Sequence, residues 1–173
     1  MHEMPRSPAL HEHRLIRRLA ELVSVLDLDR RDFVIFGSCP LLAHGLRQHV
    51  TDIDVVARGP VWDRVRQTGI PTTGTINEAP MVAFWGGLIQ FSSGWISEEW
   101  DTDGLIDRAE TFEGLPFAQL TDVLAYKRTL RRPKDHSDIQ AMLHRLGKAA
   151  GGHGTTGGTR PATMVTRRPA DGR

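Results

Sequence analysis

The sequence predicts an α+β fold, a small mixed β-sheet with flanking helices, and three observations lead there. An amphipathic helical pattern opens the chain, a strand-rich middle punctuated by glycine and proline follows, and two helical patterns close it. The 173 residues suffice for one domain with a hydrophobic core, and 39% hydrophobic with 25% charged residues suits a globular protein.

Leu15, Ile16, Leu19, Leu22, Val23 and Leu26 recur at helical spacing, which predicts a helix over 10–27. Phe33 to Phe36 is a short continuous apolar run ending in Gly37, the pattern of a buried strand. Pro40 suits a first helical turn, so a helix is expected from there to about Arg47. Thr51 to Ala57 alternates acidic and aliphatic residues and reads as a strand. Gly59-Pro60 is read as a break, followed by a short helix over 61–68. The Gly, Pro and Thr content of 69–80 predicts a loop or one short strand. Residues 81–85 and 88–91 flank Gly86-Gly87 as a hairpin, and a second hairpin turns at Glu113-Gly114 between 109–112 and 115–117. Helices are expected over 121–130 and 135–146, the second with Ile139, Met142, Leu143 and Leu146 on one face.

The net charge of +1 conceals an asymmetry. Five basic residues against one acid in 148–173 give that stretch +4, so 1–147 carries −3. Rich in glycine and poor in bulky apolar residues, 148–173 is expected to be a disordered tail after a domain spanning 1–147. No apolar run is long enough to span a membrane, and the first residues lack the apolar core of a signal peptide. One cysteine, Cys39, allows no internal disulfide, so a cytoplasmic location is expected.

The chemistry is expected at two places that the chain brings close in sequence. Asp52 and Asp54 are two apart on a predicted strand, so their side chains leave one face, where mutual repulsion favours a hard cation such as magnesium between them. Just upstream, Gly37-Ser38 joins a strand to a helix start, a place where backbone N–H groups and a hydroxyl can meet a phosphate. For both to serve one site, the strands at 33–36 and 52–56 must be neighbours. Farther on, Asp135 and Asp138 read either as a capped helix start or as part of a site, and Lys127 reads either as a solvated helix position or as a ligand contact. The four tryptophans are expected in the core or in pocket walls, with Trp95 or Trp100 open to stacking on a base.

Gly37-Ser38, then thirteen residues, then Asp52-Ile53-Asp54 resembles the signature of the polymerase-beta-like nucleotidyltransferase superfamily. That spacing, with Thr51 before the acids, is closer to its AbiEii-type toxin branch than to the shorter-spaced minimal bacterial branch. The helix Leu120 to Lys127 and Lys134-Asp135 with Asp138 are similar to AbiEii-like and related bacterial nucleotidyltransferases. The resemblance implies a nucleotidyltransferase fold whose Asp52 and Asp54 hold Mg2+ against an NTP such as ATP. Gly37 and Ser38 would line the phosphates, and Lys127 and Lys134 would reach the triphosphate. It further implies transfer of a nucleoside monophosphate to a tRNA, a protein or a small molecule, in a toxin–antitoxin or phage-defence setting with a cognate antitoxin protein as partner. One departure stands out. The later strand that carries the family's third catalytic carboxylate matches Leu88-Ile89-Gln90-Phe91, so Gln90 takes the acid's position. An amide is a poorer magnesium ligand and cannot take a proton. Glu98, Asp101 and Asp103 are the next acids that could substitute, and the alternative is a catalytically silent protein that binds nucleotide or a partner protein.

Overall fold

The computed structural model describes residues 9–76, 78–94 and 100–151. Among them no helix is long and apolar enough to cross a membrane. The expected opening helix is interrupted: a 3-10 turn at Leu10–Glu12 is followed by α1 at Arg14–Val25, because His13 between them is extended. β1 (Phe33–Phe36) is buried at all four positions, and α2 (Cys39–Ala43) follows. α2 stops well short of Arg47, as the chain turns away through Gly45 at φ 69°. β2 (Ile53–Ala57) begins one residue after Asp52.

Gly59-Pro60 opens a helix instead of breaking the chain. α3 runs Gly59–Thr68, since a proline in the first turn forfeits only an N–H that would have no helical partner. Of the two readings of 69–80, a loop or one short strand, the second holds: the segment contains β3 (Ile70–Thr73). β4 (Pro80–Phe84) and β5 (Ile89–Ser92) form the hairpin around Gly86 and Gly87. Their connection is a 3-10 turn over Trp85–Gly87, longer than the expected two residues. α4 (Thr102–Asp107) was not anticipated; Asp101 caps it by accepting the Gly104 N–H. β6 (Glu110–Phe112) and β7 (Leu115–Phe117) turn through Glu113 and Gly114, both at positive φ, as a two-residue hairpin of primed type requires. α5 (Leu120–Leu130), a 3-10 turn (Pro133–Asp135) and α6 (His136–Gly151) close the chain. α6 continues past 147, so four residues assigned to the tail are helical; 152–173 lie outside the described residues.

All seven strands form one mixed sheet in the order β3-β4-β5-β2-β1-β7-β6. The strands at 33–36 and 53–57 are antiparallel neighbours, as one shared site requires. β1–β7 and β2–β5 are parallel and the remaining pairs antiparallel. Strand alternation divides β2 between two cores. Ile53, Val55 and Ala57 pack with Phe33, Ile35 and Phe91 beneath α1 and α3. Val56 joins Val34 and Phe36 beneath α4, α5 and Met142 of α6. Asp54 points to this second face, where the helical cover ends. The molecule is therefore α+β, a seven-stranded mixed open sheet with helices on both faces.

Candidate functional site

Register builds the centre of the site. On β2, Asp54 lies opposite Phe36 of antiparallel β1 and beside Gln90 of parallel β5, so one sheet face carries Asp54 and Gln90 side by side. Gly37, the residue after Phe36, has φ 66°, and a Cβ there would come within 2.7 Å of Asp54 Oδ2. Only glycine allows the β1–α2 turn to press its backbone against that carboxylate. Asp52 precedes β2 and is exposed.

These residues open onto a cleft of about 610 Å³, within the range of sites that hold a small molecule. Gly37, Ser38, Asp52, Asp54 and Gln90 line one side of it, and Lys127 and Lys134 approach from the C-terminal helices. These seven residues, to which the resemblance gives the site roles, thus line one cleft. Thr72, Thr73 and Thr75, from β3 and the turn after it, form an uncharged wall.

Lys127 is neither a solvated helix position nor a cation open to a ligand. Its side chain is 2% exposed, and Nζ has three oxygen neighbours, two of them hydrogen-bonded. Nζ lies 2.7 Å from Asp135 Oδ1, 3.0 Å from Asp138 Oδ2 and 3.2 Å from Ser38 Oγ. Asp135 and Asp138, buried among cations, are part of this cluster and more than a helix start. Each binds an arginine through its second oxygen: Arg132 Nε at 2.6 Å from Asp135 and Arg47 Nε at 3.0 Å from Asp138. Burial pushes the Asp135 carboxyl up, but hydrogen bonds from Arg132 and Lys127 outweigh it and hold the group below its ordinary value.

Asp54 is in the opposite condition. Burial first, and then the like charge of Asp52, raise its carboxyl to about 6, with Arg132, Lys127 and Lys134 opposing the shift. Asp52 and Asp54 are thus the residues that could hold a hard cation, which would relieve the repulsion between them. Gln90 adds no third charge, and its Nε2 donates to the Gly87 carbonyl at 3.1 Å. Among the described residues, no group of three or more His, Cys, Asp or Glu is placed to hold a metal ion by itself.

Two of the three substitute acids do not fill the gap. Asp101 accepts the Gly104 N–H at 2.9 Å, and Asp103 pairs with Arg58 at 3.2 Å, just past the far end of β2. Neither lines the cleft, and Glu98 lies outside the described residues. Trp95 does too, while Trp100 packs edge-on to Tyr126 within the second core and is not part of the cleft wall. Cys39 is buried, and burial pushes its thiol up, so it is no nucleophile. Sequence reasoning missed Arg47, Tyr126 and Arg132. Arg132, three residues before Asp135, carried a local signal; Arg47 carried none, because its partner Asp138 is distant in sequence.

Neither a protein-family model nor a curated protein matches the chain.

Proposed function

We propose that the chain is a magnesium-dependent nucleotidyltransferase of polymerase-beta-like fold, transferring a nucleoside monophosphate from an NTP to an acceptor hydroxyl. The observation that carries this reading is convergence. Gly37-Ser38, Asp52 with Asp54, Gln90, and Lys127 with Lys134 come from four separate stretches and line one cleft. Asp52 and Asp54 would hold the ion, and Lys134, exposed at the rim, would attract the triphosphate. Gly37 lets the backbone approach without a side chain in the way. When bound, magnesium neutralises charge on the transferring phosphoryl group. The acceptor hydroxyl oxygen bonds the α-phosphorus and gives up its proton to solvent, as the bond from the α-phosphorus to the bridging oxygen breaks and pyrophosphate leaves. A tRNA, protein or small-molecule acceptor, and a toxin or phage-defence role with an antitoxin partner, belong to the same proposal.

Calorimetry with each of the four NTPs, with and without magnesium, tests the site. Wild-type protein should bind at least one NTP in a magnesium-dependent way, and Asp52→Asn or Asp54→Asn should abolish that binding without unfolding the chain. Equal affinity in wild type and both variants would remove the acidic pair from the site.

A second reading, a protein that binds nucleotide but transfers slowly or not at all, is favoured by Gln90 beside Asp54 in the place of a carboxylate. Gln90→Glu separates the two readings. A rise in turnover at saturating NTP, without tighter binding, marks the wild type as crippled by its amide. Brisk transfer by the wild type, unchanged in the variant, would dismiss the silent reading.

A further inference from the structure

The cleft needs cations that can meet phosphate oxygens, and the geometry withholds the most obvious one. Lys127 is already committed: Nζ donates to Ser38 and Asp135 and is ion-paired to Asp138 at 3.0 Å. A phosphate could reach it only by leaving a buried carboxylate without its counter-charge, which is strongly unfavourable. The five residues of α2 contribute little dipole, and Pro40 removes one N–H from its first turn.

The two buried carboxylates are shared symmetrically. Each gives one oxygen to Lys127 and the other to the Nε of an arginine that lines the cleft. Arg47 and Arg132 have side chains 37% and 33% exposed, against 2% for Lys127, so they stand between the buried cluster and solvent. A guanidinium has five N–H donors in a planar fork. Donation from Arg132 Nε to Asp135 fixes the plane of that fork, and the Arg132 side chain also hydrogen-bonds the Tyr126 hydroxyl, while Arg47 Nε is ion-paired to Asp138 at 3.0 Å. The Arg132 guanidinium also lies 5.9 Å over the Tyr126 ring, which further restrains it. Two planar forks held beside buried carboxylates, lining the same cleft as Asp52 and Asp54, suit the bidentate geometry of phosphate recognition.

We propose that Arg47 and Arg132 form an oligophosphate clamp and make the direct phosphate contacts, while Lys127 serves only to hold the clamp's carboxylates in place. The proposal deepens the nucleotide reading, and its test separates the two. The full chain is titrated calorimetrically with magnesium-ATP and, separately, with tripolyphosphate, which keeps the phosphates and lacks the nucleoside. Arg47→Lys and Arg132→Lys retain the charge and lose the fork. Each should weaken both ligands by about tenfold, the loss of one charge-assisted bidentate contact, with the melting temperature little changed. Lys134→Gln should weaken them less, as an exposed point charge. Wild-type affinity for tripolyphosphate in both arginine variants overturns the clamp, even if ATP binds well. Arginine-dependent binding of tripolyphosphate without any binding of ATP supports the clamp and ends the nucleotide reading. A wild type that binds neither ligand refutes both.

Discussion

Asp54 is the residue at which folding and binding pull in opposite directions. Its carboxyl, raised to about 6 from an ordinary 3.8, favours the protonated form in the folded, metal-free chain. A raised carboxyl contributes stability below its unfolded value, and that contribution is lost as pH rises through about 6. Asp54→Asn should therefore stabilise the metal-free protein at pH 7, by on the order of 2 kcal/mol. That advantage should shrink between pH 6 and pH 4, where the wild type also carries an uncharged side chain. Thermal melts across this range measure it, and a variant less stable at pH 7 would show that the carboxylate has a structural partner. Binding runs the other way. Protons compete with magnesium for Asp54, so magnesium-dependent NTP affinity of the wild type should fall as pH drops below about 6.

At the scale of elements, the β1–α2 turn joins the first core strand to the site. Gly37→Ala places a Cβ at positive φ, a cost of about 1–2 kcal/mol, and drives it toward Asp54 Oδ2. The expected result is a modestly lower melting temperature together with loss of magnesium-dependent NTP binding. Binding retained at wild-type strength would mean that the Asp54 carboxylate moves aside freely. Elements with a strong local pattern could be read from sequence: β1 through its unbroken apolar run, the β6–β7 turn through Glu113-Gly114, and α1 and α5 through helical periodicity. β3 could be read only as one of two alternatives, because all four of its residues are exposed and one is proline, so pairing with β4 decides it. α4 buries only Leu105 and Ile106, too few to show a period. The acidic pair and the glycine turn were legible because they lie in one short stretch. The buried cluster was not, since Lys127 and Ser38 are 89 positions apart and only the folded sheet and helices bring them together.

At the scale of the whole molecule, the last core side chain of α6 is Met142, and the described helix ends at Gly151. Ending the chain after Gly151 should leave the melting temperature within about 2 °C of wild type, since no buried apolar surface is removed from the described body. A larger drop would mean that 152–173 pack on it. The sheet itself ends on one side at β3, whose pairs with β4 include Pro71↔Val82 and Thr73↔Pro80. Proline cannot exchange both hydrogen bonds with its partner, so these are the wide pairs of the ladder, and Pro71 and Thr73 turn their backbone groups outward. Pro71 has no N–H to offer there, which leaves a neighbouring chain one donor short of a regular ladder. The imino ring is thus a guard against self-templated fibrils, placed on the flank where the protein's own strands stop. Pro71→Val restores the missing donor, and at high concentration it should produce light scattering and cross-β dye binding that the wild type does not. A variant that stays clear under the same conditions would assign that protection to another feature of the edge.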